Sequence, residues 1–521
     1  MDDLVDLVRR SLSEAAAEEF AARVDEQAQR LRRDVAAGEY DTDDFAVGLE
    51  VEVYGVDAGG GDGEGREEGG RDDSGRLTDL PESVFAGSLA GELGVHNAEI
   101  NTDPDVFDQA GLESQAEAFR RRVAEGRDAA AAEGRDLALD AMWTIPPAEG
   151  SEAYLSAVED ESGVVVAENM HRDARYVALD NDTLRHAGGE IAFSVPGADH
   201  AFPTILFESL ATSVQPHLQI PTAERFPAYY NAAIRTLGPV LALTANSPFL
   251  PPDLYNRVDD PRGLLSETHR ELRIAAFEQS VNTSANPKVR VPDDLETAAD
   301  VVDHVVADDT FAPFLREWVD EDPDGVQGRH WEFDHKRGTY WRWLRCVIGG
   351  DPVDGAGDER SLRIEYRPVP TQPTVDDVAA VQALVAGLLR GLVARDHPLA
   401  DLPWNAAERS FYAAAREGLD ANLDWVTVDG ERTSDRETVY DELFDLARAG
   451  LDEAGLSGDR ADDLLRPLER RWAARTTPAA WKIERVREYL DDGLDLTEAI
   501  HEMQRDYFDL SREDGVFADW L

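Results

Sequence analysis

The chain has 521 residues, and its 107 Asp and Glu residues against 51 Lys and Arg residues give a formal net charge of −56. Binding to phosphate or to an anionic membrane needs a positive field, so this charge argues against a nucleic-acid-binding protein and against electrostatic membrane attachment. Hydrophobic residues make up 42% of the chain and aromatic residues 8%, which is enough for a large core and argues against global disorder.

The cationic residues are almost all arginine, since the only lysines are Lys288, Lys336 and Lys482. Surface carboxylates hold water and counterions when salt is abundant, so we interpret the composition as halophilic, an adaptation to a salt-rich cytoplasm. The alternative is an acidic protein that binds basic partners, such as a histone chaperone or a nucleic-acid mimic. Such proteins usually concentrate charge in a tail or on one face, whereas the acidic residues here run from Asp2 to Asp519.

Targeting and redox signals favour a soluble cytoplasmic protein. The single cysteine, Cys346, excludes an intramolecular disulfide framework and a thiolate metal cluster, which fits a reducing compartment. The chain begins Met1-Asp2-Asp3 without the basic and apolar regions of a signal peptide. We also expect no apolar run long enough to cross a bilayer.

The first predicted elements are helical and then change to a strand. Apolar residues recur at helical spacing over residues 1–38, which predicts one or two outer helices. From residue 45 to 53 apolar residues alternate with Glu50 and Glu52 among others, which predicts a half-buried strand. Residues 57–79 are rich in Gly, Asp and Glu and almost lack apolar residues, so we predict a mobile surface loop.

The remaining elements predict an α+β fold around an antiparallel sheet flanked by helices. Strands separated by long irregular insertions and followed by a helical C-terminal third are typical of that class. The predicted strands cover residues 92–101, 137–145, 191–195, 213–220, 340–348 and 362–369. One long helix is predicted from the end of the strand at 92–101 to about residue 135. Further helices are predicted over residues 223–243, 266–281, 295–306 and nearly all of the chain from 375 onward.

Charged side chains fall on one face of several predicted strands. In residues 48–52 (GLEVE) the two carboxylates Glu50 and Glu52 are two residues apart, so the pleat places both on one face, on the order of 7 Å apart. Two such carboxylates repel each other unless a cation lies between them, and Mg²⁺ is held by a few carboxylates plus substrate phosphate. An exposed strand of an acidic protein would show the same alternation, so this motif alone leaves both interpretations open.

Two further segments extend the polar face. Glu99 sits in an otherwise apolar strand and is either a third carboxylate of the site or a solvated edge residue. Gln215, His217 and Gln219 share one face of their strand, where neutral donors and acceptors orient a substrate or a nucleotide phosphate. The alternative for His217 is a purely structural role.

An arginine row completes the set. Arg363, Glu365 and Arg367 alternate along one strand, either as a cross-strand ion-pair ladder or as a site in which arginine binds phosphate or carboxylate in a bidentate manner. Arg342 and Arg345 are predicted to extend that anion site. There is no Walker-type glycine-rich loop and no kinase motif, so a nucleotide would be held by the sheet face.

The order of these motifs resembles that of the glutamate–cysteine ligase family, in the branch that includes bacterial carboxylate–amine ligases. The resemblance implies a glutamine-synthetase-like sheet and a ligase that phosphorylates the γ-carboxylate of glutamate with ATP before an amine attacks the γ-glutamyl phosphate. Cysteine is the first candidate for the amine, which would give γ-glutamylcysteine. The resembling segments are residues 48–52, 92–102, 212–217, 245–249, 363–368 and 413–419.

Position by position, the resemblance implies roles for individual residues. The matched Mg²⁺ ligands are Glu50, Glu52, Glu99 and Glu365, with Glu92 as an addition. Arg367 corresponds to a phosphate-contacting arginine of the family, and Gln215 and His217 fall where family members carry His or Gln and His or Asn. From their positions on the polar strand faces we add Arg363 to the catalytic residues and Arg345 and Gln219, with Arg367, to the residues that bind ATP. The pairs Arg175-Tyr176 and Arg270 or Arg273 mirror substrate-binding positions of the family.

The resemblance also organises the chain into regions. We predict an N-terminal helical extension (1–40), a ligase catalytic domain (41–400) and a helical region packed on it (401–521). Residues 246–249 either border the substrate pocket or form a helix C-terminal turn. Two alternatives stay open: a ligase of the same fold that joins glutamate to a different amine, and a non-catalytic acidic binding protein with degenerate motifs.

Overall fold

A computed structural model describes residues 2–58, 75–319, 327–353, 359–513 and 515–521 of the chain. The strands are β1 (Ala46–Asp57), β2 (Leu89–Gly91), β3 (Asn97–Asn101), β4 (Asp105–Val106), β5 (Arg135–Ala138), β6 (Val158–Asp160), β7 (Val165–Ala167), β8 (Ile191–Val195), β9 (Ala198–Phe202), β10 (Val214–Ile220), β11 (Leu344–Ile348), β12 (Leu362–Tyr366), β13 (Trp425–Val426) and β14 (Arg432–Thr433).

Helices surround these strands and make up nearly all of the C-terminal part. They are α1 (Asp2–Ser11), α2 (Glu14–Ala36), α3 (Glu82–Phe85), α4 (Gln109–Ala131), α5 (Ser151–Ser156), α6 (Ala174–Ala187), α7 (Phe226–Thr244), α8 (Pro261–Glu267), α9 (Leu272–Val281), α10 (Asp300–Ala307), α11 (Trp331–Arg337), α12 (Val375–Ala394), α13 (Trp404–Glu417), α14 (Arg436–Glu453), α15 (Gly458–Ala474), α16 (Pro478–Asp491) and α17 (Leu496–Ser511).

The central feature is an eight-stranded sheet in the order β11-β12-β10-β1-β3-β2, with β4 and β5 also paired to β1. Its strand pairs are antiparallel. The predicted α+β fold around an antiparallel sheet flanked by helices is therefore confirmed. Separate two-stranded ribbons form from β6 and β7, from β8 and β9, and from β13 and β14.

The two faces of the large sheet differ in polarity because β1 alternates as its sequence predicts. Val47, Leu49 and Val51 are buried on one face, where they join the apolar residues of β3, β10 and β12. Helices α4 and α12 pack against these strands. Each fully buried Val or Leu stabilises the fold by about 1.5–3 kcal/mol, so this face fixes the sheet and leaves the opposite face free for polar residues.

The N-terminal helices are attached to the body of the protein by polar contacts as well as by apolar ones. Arg23 of α2 donates hydrogen bonds to Glu317 at 2.7 Å and to Glu332 at 2.8 Å. The Gln27 amide donates to Glu332 at 2.6 Å, and its oxygen accepts the N–H of Phe333 at 2.9 Å. Helix α11 has no side-chain cap of its own, so Gln27 satisfies an N–H of its first turn.

The C-terminal helices share a core with the sheet. One hydrophobic cluster runs from Phe20 on α2 through the sheet to Trp472 on α15. Helix α12 packs against α7, α14 and α15. By length and composition α12 could cross a membrane, contrary to the expectation that no apolar run reaches this length, but 78% of its apolar window is buried inside the protein. It is the core helix of this part of the fold.

Several predicted boundaries need correction. The strand predicted over residues 137–145 ends at Ala138, because the following chain turns to place Asp140 beside Lys482. The strand predicted over residues 340–348 begins only at Leu344. Most of the loop predicted over residues 57–79 falls on residues 59–74, which lie outside the described residues.

Candidate active site

The polar side chains of five neighbouring strands, β11, β12, β10, β1 and β3, meet on one face of the sheet. Directly opposite residues of antiparallel strands present their side chains on the same face. The register pairs Glu52 with Glu99, Glu50 with Gln215, His217 with Glu365, and Glu365 with Arg345. The structure therefore brings together the carboxylate, glutamine, histidine and arginine rows that the sequence predicts separately.

An acidic cavity of about 200 Å³ opens on this face. We call it the reaction cavity. Glu92 reaches it from the turn after β2, so this predicted residue also belongs to the site. Its charged lining is strongly unbalanced, with five carboxylates and three arginines: Glu50, Glu52, Glu92, Glu99, Glu208, Arg175, Arg345 and Arg367.

The carboxylates at one end of the reaction cavity repel each other. Burial, with the charge of Glu92 next, raises the pKa of Glu52 to about 7. Burial and the charges of Glu52 and Glu92 raise the pKa of Glu208 to about 8. Burial and the charges of Glu50, Glu92 and Glu52 hold the pKa of Glu99 well above its ordinary value. Within the described residues none of Glu52, Glu92, Glu99 and Glu208 makes an ion pair, so this end is suited to a cation.

Hydrogen bonds fix the direction of these carboxylates. Glu52 accepts from the Ser213 N–H at 2.7 Å and from the Gln215 amide at 3.1 Å. Glu99 accepts from the Asn101 amide at 2.6 Å. These neutral donors orient the oxygens without cancelling their charge.

Two arginines neutralise the other end of the reaction cavity. Arg345 binds Glu365 in a bidentate manner, with Nε–Oε2 at 2.7 Å and Nη2–Oε1 at 2.8 Å. Arg367 donates to Gln215 at 2.8 Å and also to Glu365. Burial alone would raise the pKa of Glu365, but Arg345, Arg367 and His217 hold it far below its ordinary value. The Nε of Arg367 is buried without a hydrogen-bond partner among the described residues, so it can still donate to an anion.

A cluster of two carboxylates and one histidine lies between these two ends. The His217 Nε2 is 3.2 Å from a Glu50 oxygen. One ligand atom each from Glu50, His217 and Glu365 lie within 4.8 Å of one another. Burial opposes ionisation of Glu50, yet His217 and Arg345 hold its pKa below the ordinary value. The three residues form a candidate metal centre beside the acidic end of the reaction cavity.

A smaller group of predicted residues lines a separate cavity of about 260 Å³, on the other side of Glu50. Gln219 and Arg363 stand opposite each other in the register and face this cavity, which also includes His217. Gly350 has a φ of +124°, and a Cβ there would lie 2.5 Å from the Arg363 guanidinium. Glycine at this position therefore gives Arg363 the space that it occupies.

The predicted substrate-binding residues lie in three different places. Arg175 and Tyr176 line the reaction cavity, and their role in substrate binding stays a prediction. Arg273 is buried behind it, where it donates to the Pro368 carbonyl and contributes to the electrostatics of Glu52. Arg270 lies elsewhere, in a cavity beside Arg436 of the C-terminal helices, so its assignment to the substrate site is wrong.

Arg342 is likewise not part of the anion site. Residue 342 precedes strand β11. Its side chain is 97% buried, and it donates to Asp308 at 2.9 Å and to the Lys288 carbonyl. Its guanidinium is therefore already paired with a buried carboxylate, which it shares with Lys288. Residues 246–249 follow α7 as irregular chain rather than as a helix C-terminal turn, since Ser247 bridges to Glu271 and the Asn246 N–H donates to Glu271 at 2.8 Å. None of them lines the reaction cavity.

Glu208 and the aromatic wall were missed by the sequence predictions. Glu208 lies on a 3-10 helix, Ile205–Leu210, just before β10, so it has no strand periodicity. A single carboxylate within an otherwise apolar run was the only signal. Phe277 and Trp341 supply the apolar side of the reaction cavity and read in the sequence as ordinary core residues.

This arrangement is suited to bringing a cation and anions together in a partly dehydrated space. Carboxylates without counter-charge bind a hard divalent cation through oxygen. Buried arginines with free donors bind phosphate or carboxylate. The lining of the reaction cavity contains no cysteine, serine or threonine, and its charged groups are suited to binding and charge neutralisation.

Comparisons with known proteins identify the family. The sequence model of glutamate–cysteine ligase family 2 (GCS2) matches residues 46–508. No curated protein matches the chain. Among solved structures, the chain is similar to a glutamate–cysteine ligase from Francisella tularensis in complex with AMP, with 14% identity over 91% of this chain and 90% of that chain and a TM-score of 0.49.

It is also similar to a bifunctional glutathione synthetase from Pasteurella multocida, with 13% identity over 90% of this chain and a TM-score of 0.46. The match covers 53% of that protein, so this chain spans about half of its length. At these identities the likeness assigns no role to individual residues. Because the family match covers most of the chain, the protein belongs to glutamate–cysteine ligase family 2 and is a carboxylate–amine ligase.

Proposed function

We propose that the protein is an ATP- and Mg²⁺-dependent ligase that joins the γ-carboxylate of glutamate to an amine, with cysteine as the first candidate. The observation that carries the proposal is the reaction cavity itself, in which unpaired carboxylates face arginines across a space of about 200 Å³. A site for phosphoryl transfer must hold a divalent cation and neutralise a transferred phosphate, and these two halves supply both functions.

The residues fit Mg²⁺. Glu52, Glu92 and Glu99 present carboxylates without counter-charge, and the Glu50, His217 and Glu365 group lies beside them. Mg²⁺ prefers oxygen ligands and usually keeps only a few carboxylates from the protein. When bound, the ion would neutralise charge on the phosphate oxygens.

The chain's own residues would bind and orient the substrates. Arg345 and Arg367 line the reaction cavity and would contact the transferred phosphate, and Glu365 holds both guanidinium groups in place. The cavity that contains Arg363 and Gln219 lies across Glu50 and would take the nucleotide. Arg175, which makes no ion pair within the described residues, would bind a carboxylate of a substrate at the opposite edge.

The reaction needs no protein nucleophile. A γ-carboxylate oxygen of glutamate attacks the terminal phosphorus of ATP, and the bond from that phosphorus to the bridging oxygen breaks to release ADP. The amine nitrogen then attacks the γ-carbonyl carbon, the bond from carbon to the phosphate oxygen breaks, and phosphate leaves while the nitrogen loses a proton to water. Phe277 and Trp341 exclude water from the acyl phosphate on one side of the reaction cavity.

The setting that we propose is a salt-rich cytoplasm. All three lysines are buried, with Lys288, Lys336 and Lys482 at most 7% exposed. The exposed cationic side chains of the described residues are therefore arginines, set among a large excess of carboxylates. Assays accordingly belong in molar KCl.

The proposed function is tested by ADP release from purified protein in KCl with Mg²⁺, ATP and glutamate, with and without a panel of amines led by cysteine. We expect release that depends on glutamate and rises when an accepted amine is added. Stimulation by cysteine supports glutamate–cysteine ligase activity. Stimulation only by another amine supports a ligase of the same fold that joins glutamate to that amine. A folded protein that releases no ADP with any amine would favour the non-catalytic binding protein.

A further inference from the structure

Two carboxylates of the reaction cavity are not carried by strands. Glu92 begins the turn of residues 92–96 that joins β2 to β3, and Glu208 lies on the 3-10 helix Ile205–Leu210. Burial and the charges of neighbouring carboxylates raise the pKa of both. Two like charges on separate elements push these elements apart, so other contacts must hold the turn and the 3-10 helix together.

His96 makes a contact of this kind. It is the last residue of the turn, its side chain is fully buried, and its Nε2 lies 3.2 Å from the carbonyl oxygen of Ser209, the residue after Glu208. A carbonyl oxygen only accepts, so Nε2 carries the proton and donates it. The contact therefore joins the turn that begins with Glu92 to the helix that carries Glu208.

The second ring nitrogen of His96 is also satisfied. Nδ1 lies 2.9 Å from the Tyr154 hydroxyl, which donates to it. Burial lowers the pKa of His96 to about 4, so the ring is neutral at neutral pH. The imidazole thus holds the two elements together without adding a positive charge that would compete with a cation for the carboxylates.

Tyr54 supports the same end of the 3-10 helix. Its hydroxyl donates to the Leu210 carbonyl at 2.5 Å, and its ring stacks on His96 with centroids 6.3 Å apart and an interplanar angle of 7°. The last carbonyls of a helix lack partners within it, and His96 and Tyr54 supply donors to two of them. Tyr54 follows Glu52 by two residues on β1, so this contact ties the helix to the central strand as well.

The start of the 3-10 helix is fixed independently. Asp180 of α6 accepts from the Ile205 N–H and from the Thr204 hydroxyl, each at 2.8 Å. Loss of the His96 contact would therefore release the end that carries Glu208 and leave the start in place.

We propose that His96 is a positioning residue of the ligase, which holds the end of the 3-10 helix against the turn of residues 92–96 and so keeps Glu208 beside Glu92 for a shared divalent cation. The proposal rests on the ligase function proposed above, and it adds Glu208 to the residues that set the affinity for Mg²⁺. His96 is not part of the cavity lining, so it acts through the two carboxylates.

Two substitutions separate the two contacts of His96. The amide nitrogen of Gln reaches the position of Nε2, whereas that of Asn reaches only the position of Nδ1. His96→Gln should therefore keep the donor to Ser209, and His96→Asn should lose it. Mg²⁺ binding is measured by calorimetry in KCl, with and without a non-hydrolysable ATP analogue. We expect the Kd of His96→Asn to rise roughly tenfold, as for other groups that orient metal ligands, and that of His96→Gln to stay within about threefold of wild type.

His200 provides a matched control. Its Nε2 also donates to a backbone carbonyl, that of Leu254, at 2.6 Å, and it does not line the reaction cavity. His200→Asn should leave the Kd of Mg²⁺ unchanged even if it lowers the free energy of unfolding. Tyr54→Phe removes only a hydroxyl and should raise the Kd in the same direction as His96→Asn, so it decides the question if His96→Asn does not fold.

The outcomes separate this proposal from the function on which it rests. Mg²⁺ binding of folded His96→Asn that equals wild type overturns the role of His96, and so does an equal loss in His96→Gln. If His96→Asn does not fold, wild-type binding by Tyr54→Phe overturns it. The predicted pattern of Mg²⁺ binding without glutamate-dependent ADP release in wild type would contradict the ligase function alone. Wild-type protein that binds no Mg²⁺ under either condition would contradict both.

Discussion

Two regions of this protein bury charged side chains, and they do so in opposite ways. Under the C-terminal helices, Lys482 donates to Asp140 at 2.5 Å and to the Asn246 carbonyl at 2.9 Å. Gln504 donates to the other Asp140 oxygen at 2.8 Å. Arg471 and Asp377 form a second pair, with Nη2–Oδ1 at 2.7 Å. In this region each cation has a carboxylate beside it.

The reaction cavity lacks this balance. Glu52, Glu92, Glu99 and Glu208 make no ion pair within the described residues, and burial with mutual repulsion raises their pKa values. A paired buried charge is retained because removal of one partner leaves the other uncompensated. An unpaired cluster of carboxylates costs stability unless a ligand completes it, and such perturbed groups gather at functional sites. The difference separates structural charges from functional ones.

The largest effect should follow from changes in the reaction cavity. Arg367→Ala removes a guanidinium that would stabilise the transferred phosphate, so we expect kcat/KM for ATP to fall about 10³-fold, or ~4 kcal/mol. Glu52→Gln should abolish turnover to a similar extent because it removes a proposed Mg²⁺ ligand. ADP release measures both variants, and circular dichroism checks that each is folded.

A surface arginine provides the matched control. Arg409 is 62% exposed and lies 3.3 Å from Asp424. Arg409→Ala should keep wild-type activity. Turnover of Arg367→Ala or Glu52→Gln within tenfold of wild type would show that the arginine and carboxylate rows do not carry the chemistry.

A change in the paired region should act on stability instead. Lys482→Met leaves the fully buried Asp140 without its cation, and breaking such a pair typically costs about 3–5 kcal/mol. Urea unfolding in KCl measures the loss. The double variant Lys482→Met/Asp140→Leu should regain much of it, since it removes both charges. A single variant as stable as wild type would mean that the pair contributes nothing to the fold.

The repulsion in the reaction cavity also predicts how the stability of the folded protein depends on pH when no divalent cation is present. The pKa of Glu52 is raised from 4.5 to about 7 and that of Glu208 from 4.5 to about 8, so the folded protein holds protons that the unfolded chain has already released. Their contribution to stability is therefore complete below about pH 4.5 and is lost as the pH rises through 7 to 8.

Mg²⁺ should oppose that loss. At 100 times its Kd a ligand specific to the folded state stabilises by about 2.7 kcal/mol, so thermal unfolding at pH 8 should shift upward when Mg²⁺ is added at constant ionic strength. Glu52→Gln should reduce both the pH dependence and the response to Mg²⁺. A stability that rises from pH 5 to pH 8 without divalent cation would contradict the assignment of these carboxylates as unpaired.

The smallest effect concerns the N-terminal helices. Gln27→Leu removes the acceptor for the Phe333 N–H at the start of α11, and loss of a helix cap costs about 1 kcal/mol. The free energy of unfolding, measured with urea in KCl, should therefore fall by about 1 kcal/mol, with little change in the KM of ATP. Gln29→Leu, on the same helix, is the control. Equal unfolding free energies of the two variants would show that Gln27 does not stabilise the start of α11.

Strand periodicity was sufficient to predict most of the polar face. A period of two residues places Glu50 with Glu52, and it places Gln215 with His217, without knowledge of the tertiary structure. Periodicity gives neither the order of the strands nor their register. These two properties decide that His217 stands opposite Glu365. The combination of acidic, neutral polar and arginine rows suggested that they form one site, and the resemblance to known ligases added to that expectation.

The residues that were misassigned or missed lie outside regular strands. Glu208 belongs to a 3-10 helix and Arg270 lies between helices α8 and α9, so no alternation marks either of them. Arg342 looked equivalent to Arg345 in sequence, but its partner Asp308 is 34 residues away and only the tertiary fold brings them together. Long-range pairing of this kind has no local signal.

The central claim is that the reaction cavity activates a carboxylate by phosphorylation. The most direct measurement uses glutamate labelled with ¹⁸O in the γ-carboxylate, together with ATP, Mg²⁺ and an accepted amine in KCl, followed by mass analysis of the released phosphate. We predict that one ¹⁸O atom per turnover appears in the inorganic phosphate, because the carboxylate oxygen that attacks phosphorus leaves with it. Amide formation with no ¹⁸O in the phosphate would contradict the acyl-phosphate route and the roles given to Arg345 and Arg367.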